Sequence, residues 1–232
     1  VHVQILLVDA FDPMDALAPL EAFVAAGEFA GGVVTTELVS AEGPREVESG
    51  VPGVSLWATG MLDPERPGVI VVPGVAGPVT DGEERADGAG ADGADTERPG
   101  IPLLLAAVAQ TEVTALMARA LAHPEVTVLA VCGGSLALAL GGLLEGRHAV
   151  THMLGNGVLE ATGVEVVRAR IVDDGDLITT GGVTSSLDGA LYAIERLIGP
   201  QVAAATERYF ETERRGTVWR AAGPSVVLPR PA

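Results

Sequence analysis

The sequence predicts an α/β sandwich built on a mainly parallel sheet. Two observations carry that prediction. Short apolar runs alternate with helix-like stretches almost throughout the 232 residues. Hydrophobic residues make up 48% and aromatics only 3%, so the core must be built from Ala, Val and Leu. Such a composition suits buried parallel strands covered by Ala/Leu-rich helices.

The elements follow in order. Residues 3–8 form a continuous apolar run apart from Gln4 and read as the first strand. Asp12 and Pro13 then read as N-cap and first helical residue of a helix reaching about Ala26. Residues 33–40 look like the second strand. Residues 45–58 carry turn signals at Ser49-Gly50 and Pro52-Gly53 and predict short strands or a hairpin. Residues 68–73 are another buried strand, followed by a loop at 74–77. Residues 103–121 read as helix in one or two pieces, 126–131 as strand, and 136–144 as helix. Residues 148–152 read as a short strand, and 164–172 with 176–180 as a hairpin turned at Asp173, Asp174 and Gly175. Residues 184–198 and 201–214 read as amphipathic helices. The expected organisation is one domain over 1–215 with an extended tail over 216–232. Residues 81–100 interrupt it with seven acids, two arginines and almost no large apolar side chain, and read as an exposed insertion.

Charge narrows the partners. Fourteen basic residues stand against 31 acidic ones, a net charge of −17. A phosphate backbone or an anionic membrane surface would be repelled. All 14 basic residues are Arg. Without lysine there is no side-chain Schiff base, no phosphate-loop lysine and no Ser-Lys dyad. The N-terminal residues read as a strand rather than a leader, and a cytoplasmic location is the expectation. Residues 126–144 are uncharged for 19 positions, but Gly133 and Gly134 break them into strand and helix, against a membrane span.

The chain has one cysteine, Cys132, and its position is informative. It ends an apolar run and precedes Gly133, Gly134, Ser135 and a helix. A thiol at a strand-to-helix bend lies beside free backbone N–H groups, which favour thiolate and can hold an oxyanion. The alternative is a buried, inert thiol. Ser135 almost fits a serine-elbow motif but falls in the first helical turn, where its hydroxyl is expected to bond the helix N-terminus. The four histidines, His2, His123, His148 and His152, show no metal-ligand spacing with Cys132 or with each other. Two carboxylates stand out, Asp15 at the start of the first helix and Glu21 further along. In a doubly wound fold, ligands sit beyond the C-terminal ends of the strands. The turn after the first strand, the loop at Pro73-Gly74 and Cys132 all lie at such ends and could meet at one crevice. Asp15 read alone is better explained as a helix N-terminal charge.

These pieces resemble the ThiJ/PfpI superfamily over roughly residues 3–200. Residues 130–135 resemble its cysteine elbow, and Asp15, in the run from Met14 to Pro19, resembles its first-helix acid. Residues 72–75 resemble its oxyanion loop. Residues 142–147 leading to Thr151 and His152, and residues 180–184 before a helix with Asp188, also match. The short acid at position 15 and the spacing from Cys132 to Thr151-His152 look most like the isonitrile hydratase branch. The resemblance implies a flavodoxin-like three-layer α/β/α sandwich, a homodimer, and no metal or organic cofactor. It implies a small electrophilic substrate, Cys132 as nucleophile, Asp15 as proton donor and acceptor, and the N–H groups of Val75 and Gly133 as oxyanion donors. Gly74, His152 and Ser135 would contact substrate. Two other roles stay open: a cofactor-independent glyoxalase acting on methylglyoxal-type aldehydes, and a non-enzymatic redox sensor. Gly133 stands where the peptidase branch carries histidine, which argues against proteolysis.

Overall fold

The structure, a computed structural model, describes residues 1–79 and 98–223. The acidic insertion expected at 81–100 therefore lies outside the described residues, apart from its last three positions, as does the tail beyond residue 223.

Eight strands form one sheet in the order β12-β10-β11-β7-β6-β1-β2-β5. They are β1 (His2–Leu6), β2 (Thr35–Ser40), β5 (Gly60–Met61), β6 (Gly68–Val72), β7 (Val126–Ala130), β10 (Ile171–Asp173), β11 (Leu177–Thr180) and β12 (Trp219–Arg220). Every neighbouring pair is parallel except β10 and β11. The central strands are almost wholly buried, which is why they read as unbroken apolar runs. The hairpin of β3 (Arg45–Glu48) and β4 (Ser55–Ala58) forms as expected.

From β1 the chain crosses to β2 through helix α1 (Pro13–Phe29), and from β6 to β7 through α2 (Ile101–Val108) and α3 (Glu112–Ala122). The two crossovers run in opposite directions along the sheet. With right-handed connections they cover opposite faces. The direction reverses between β1 and β6, and there a crevice opens beyond the strand ends. Helix α1 packs on α6 (Ser185–Leu197) and α7 (Pro200–Tyr209). This is the mixed, mostly parallel sandwich that the alternating pattern predicts.

Several boundaries differ. Helix α1 continues three residues past Ala26 to Phe29. The strand expected at 148–152 shrinks to β8 (His148–Ala149), because Thr151 turns its hydroxyl to the Cys132 carbonyl. Of the long hairpin arm at 164–172, β9 (Glu165–Val166) pairs instead with β8, in parallel. Helix α7 stops at Tyr209, followed by Glu211 at a φ of 51°. The tail is not wholly extended coil. Trp219 and Arg220 add an edge strand beside β10, held by Trp219 against the His148 ring at 4.8 Å and by Arg220 on the Tyr192 hydroxyl at 2.8 Å.

Candidate active site

Strands β1, β6 and β7 lie side by side, and the segment following each supplies one part of the site. After β7, the Val131 N–H still bonds the Val72 carbonyl at 2.9 Å, and then the chain bends. Cys132 has a φ of 51°, a conformation that costs a non-glycine residue of order 1 kcal/mol or more. Its neighbours enforce that geometry. The Gly134 N–H reaches back to the Val131 carbonyl at 2.7 Å. The Cys132 carbonyl accepts from Thr151 Oγ1 at 2.7 Å and from Ser135 Oγ at 3.2 Å. A side chain at position 134 would lie 2.2 Å from the Val72 carbonyl oxygen, so glycine alone lets helix α4 (Gly134–Leu140) start this close to β6.

After β1 the chain enters α1 through Asp12. Its carboxylate accepts from the Met14 N–H at 2.9 Å, and its own N–H bonds the Gly74 carbonyl at 2.9 Å. Three residues further on, in the first turn of the helix, Asp15 is completely buried. Its Oδ2 accepts from the Gly74 N–H at 3.0 Å, and its Oδ1 has no aligned donor. A Cβ at position 74 would meet that Oδ2 at 2.9 Å and the Gly133 nitrogen at 2.7 Å. Glycine there permits both approaches.

Burial raises the Asp15 carboxyl to about 8, aided by the negative charge of Asp12 and opposed by the Gly74 N–H and the Cys132 thiol. Burial also pushes the Cys132 thiol up, with the charge of Asp15 the next largest cause, opposed by the Gly133 N–H. Each group thus disfavours the other's charge. At neutral pH the pair holds two protons; the first is lost near 8, mainly from Asp15, and that charge then opposes ionisation of the sulfur. The expectation that the elbow alone favours thiolate is therefore corrected. Burial outweighs the amides at the start of a seven-residue helix. A thiolate arises here only with Asp15 protonated beside it.

This has a measurable consequence for stability. Unfolded, Asp15 titrates near 3.8, and folded near 8. The folded chain therefore keeps a proton that the unfolded chain has lost, and the contribution to stability, complete below about pH 4, is lost as pH rises through 8. Asp15→Asn keeps an acceptor for Gly74 and removes the penalty. It is expected to raise unfolding free energy at pH 8 by between about 2 and 5 kcal/mol, with no gain at pH 4. Urea unfolding at the two pH values measures this.

The thiol opens on a cavity of about 450 Å³. Its wall is mainly apolar, with Ile101 and Leu105 from α2, Leu136 and Leu140 from α4, and Val183. Among the described residues, the polar side chains on it are Asp12, Cys132, Thr151 and His152. Val75 and Gly133 also line it, and their N–H groups donate to no backbone carbonyl among the described residues. The Val75 loop is locked against the first strand's turn by the Ala76 N–H to the Ala10 carbonyl at 2.9 Å.

The structure thus brings Cys132, Asp15, Val75, Gly133 and His152 to one place. It separates three other residues from the cavity. Ser135 is completely buried and its hydroxyl bonds the Val150 carbonyl at 2.7 Å, so it braces the elbow rather than contacting a substrate or the helix N-terminus. Gly74 is behind the wall, with its N–H on Asp15 and its carbonyl on Asp12. Glu21 is exposed on α1. The sequence reading missed Asp12, taken only as a cap, and Thr151, which fixes the elbow carbonyl. His152 Nδ1 accepts from the Leu154 N–H at 3.3 Å as it caps the turn Met153–Gly155. Among the described residues, no single helix is long and apolar enough to cross a membrane.

Residues 105–196 match the DJ-1/PfpI family. An isonitrile hydratase of Pseudomonas putida is 39% identical over 84 residues, 36% of this chain and 37% of that protein. The match thus spans little more than a third of the curated relative. Among solved structures, a ThiJ/PfpI family protein from Pseudomonas syringae superposes with a TM-score of 0.67 at 24% identity, covering 90% of this chain and 74% of the other. DJ-1beta of Drosophila melanogaster gives 0.67 at 15% identity, covering 91% and 98%. An AraC family transcriptional regulator from Pseudomonas putida gives 0.68 at 17%, covering 90% and 98%.

Proposed function

We propose that this chain, whose residues 105–196 match the DJ-1/PfpI family, hydrates an isonitrile to an N-substituted formamide, with Cys132 as nucleophile and Asp15 as proton carrier. The observation that supports this most is a thiol lining an apolar cavity and coupled to the Asp15 carboxyl buried behind it. The partial identity to an isonitrile hydratase points the same way.

An isonitrile is neutral, and its terminal carbon accepts a nucleophile and then needs a proton. The singly deprotonated pair supplies both. The Cys132 thiolate bonds to the carbon, and the protonated Asp15 delivers its proton there, leaving a thioimidate on sulfur. Water adds across the C=N bond, its oxygen to carbon and a proton to nitrogen. The N–H groups of Val75 and Gly133 stabilise negative charge on that oxygen. Breaking the C–S bond releases the formamide, and the hydroxyl proton returns to Asp15. The apolar wall suits a bulky aliphatic or aromatic substituent.

The same pair could add to a dicarbonyl, but a small, strongly hydrated aldehyde gains little from such a wall. A peroxide-sensing thiol would need to be exposed and acidic, and Cys132 is 7% exposed and shifted upward. The test incubates the protein with alkyl and aryl isonitriles and, in parallel, with methylglyoxal, following formamide and lactate. Formamide from isonitriles is the expected product. Lactate without formamide would overturn the proposal.

A further inference from the structure

Resting on the hydratase reading, we infer that Asp12 is the base that activates the attacking water in the second half of the reaction. Asp15 is poorly placed for that step. It is completely buried, absent from the cavity wall, and held by Gly74. It can exchange a proton with atoms at the sulfur, but water must approach the thioimidate carbon from the open side.

On that side the described polar side chains besides Cys132 are Thr151, His152 and Asp12. The Thr151 hydroxyl is donated to the Cys132 carbonyl. His152 accepts a backbone N–H on Nδ1, so its neutral ring carries its proton on Nε2 and has no second nitrogen free to take one. Asp12 is left. Its Oδ1 caps α1 through the Met14 N–H, and no hydrogen bond is formed by Oδ2 among the described residues. Its backbone is pinned by the Gly74 carbonyl beside the Asp15 anchor, and its charge is felt by both Asp15 and Cys132. One carboxylate oxygen is fixed by the helix, and the other remains for water.

The step balances without a co-reactant. Asp12 takes a proton from water as the oxygen bonds to carbon, and returns it to the nitrogen as the C=N bond becomes C–N. The released hydroxyl proton then restores Asp15 as the C–S bond breaks.

Asp12→Asn keeps the helix cap, since asparagine caps as well as aspartate, and Asp12→Ser is a second cap-preserving variant. With cyclohexyl isonitrile, either variant is expected to form the Cys132 thioimidate at least as fast as the unmodified protein, because a repelling charge is gone. Its breakdown should slow by about 100-fold or more. Intact-protein mass spectrometry then shows the chain heavier by one isonitrile, an adduct missing from Cys132→Ala. Breakdown at the unmodified rate in both variants, with the unmodified protein active, overturns the role of Asp12 alone. Failure of the unmodified protein to turn over any isonitrile overturns the hydratase reading and this step together.

Discussion

Replacing Cys132 by alanine is expected to lower isonitrile hydration by at least about four orders of magnitude while changing unfolding free energy by less than about 1 kcal/mol. The two halves of that expectation have separate causes. Chemistry is lost because no other described side chain on the cavity is a comparable nucleophile. Thr151 has its hydroxyl committed to the Cys132 carbonyl, and Ser135 is buried on the far side of the elbow. Stability is kept because alanine retains the same backbone bonds, from Val131 to Val72 and from Gly134 to Val131. The left-handed φ of 51° remains strained in both residues, so the strain cancels in the comparison. Cys132→Ser should be nearly as inactive, since a buried hydroxyl beside a carboxyl cannot reach the alkoxide. Formamide production and urea unfolding on the same preparations read both quantities. Retention of more than about one part in a hundred of the turnover by Cys132→Ala would remove sulfur from the mechanism.

Gly134→Ala is expected to destabilise the elbow strongly, by on the order of 3–5 kcal/mol. The added carbon would lie 2.2 Å from the Val72 carbonyl oxygen and 2.9 Å from that of Pro73. Both obstacles are backbone, and Val72 is fixed by its register against Ala130 in the sheet. Helix α4 would have to move away from β6, carrying the Gly133 N–H and the elbow with it. Gly133→Ala offers the control. Its added carbon meets the Leu105 side chain at 3.1 Å, which can shift, and the Gly74 Cα at an ordinary van der Waals distance of 3.6 Å. That variant should lose under about 1 kcal/mol. Thermal unfolding of the two alanine variants side by side checks the contrast. Equal stability would mean that the close approach of α4 to β6 does not hold the elbow.

Much of this arrangement is legible in the sequence, for a physical reason. The elbow shows because it needs an unbroken apolar strand, then Cys132, then a glycine at 134 where no Cβ fits. Asp15 shows because a cap and a helix-starting proline place it at a strand's carboxyl end. Local constraints of this kind leave local marks. What escaped depends on contacts distant in the chain. Asp12 satisfies the rule for an N-cap so well that nothing in the sequence reveals its second face, on the cavity. Thr151 sits in an apolar stretch that reads as strand, and only the Cys132 carbonyl, nineteen residues earlier, pulls it out of that register. Trp219 and Arg220 read as tail because their partners, His148 and Tyr192, lie far upstream. The upward shift of the thiol escapes the sequence for a related reason. The helix amides are visible in sequence, whereas the depth of burial that outweighs them is set by the whole fold.

The measurement that bears most directly on the account is the pH dependence of Cys132 alkylation by a small neutral reagent such as iodoacetamide. Since the pair releases its first proton near 8, the rate should climb about tenfold per pH unit below that value and level off above it. In Asp15→Asn the inflection near 8 should disappear and the thiol should titrate alone, above its ordinary value because burial remains. Identical profiles with and without the Asp15 carboxyl would contradict the shared proton, and with it the claim that this carboxyl makes the sulfur reactive.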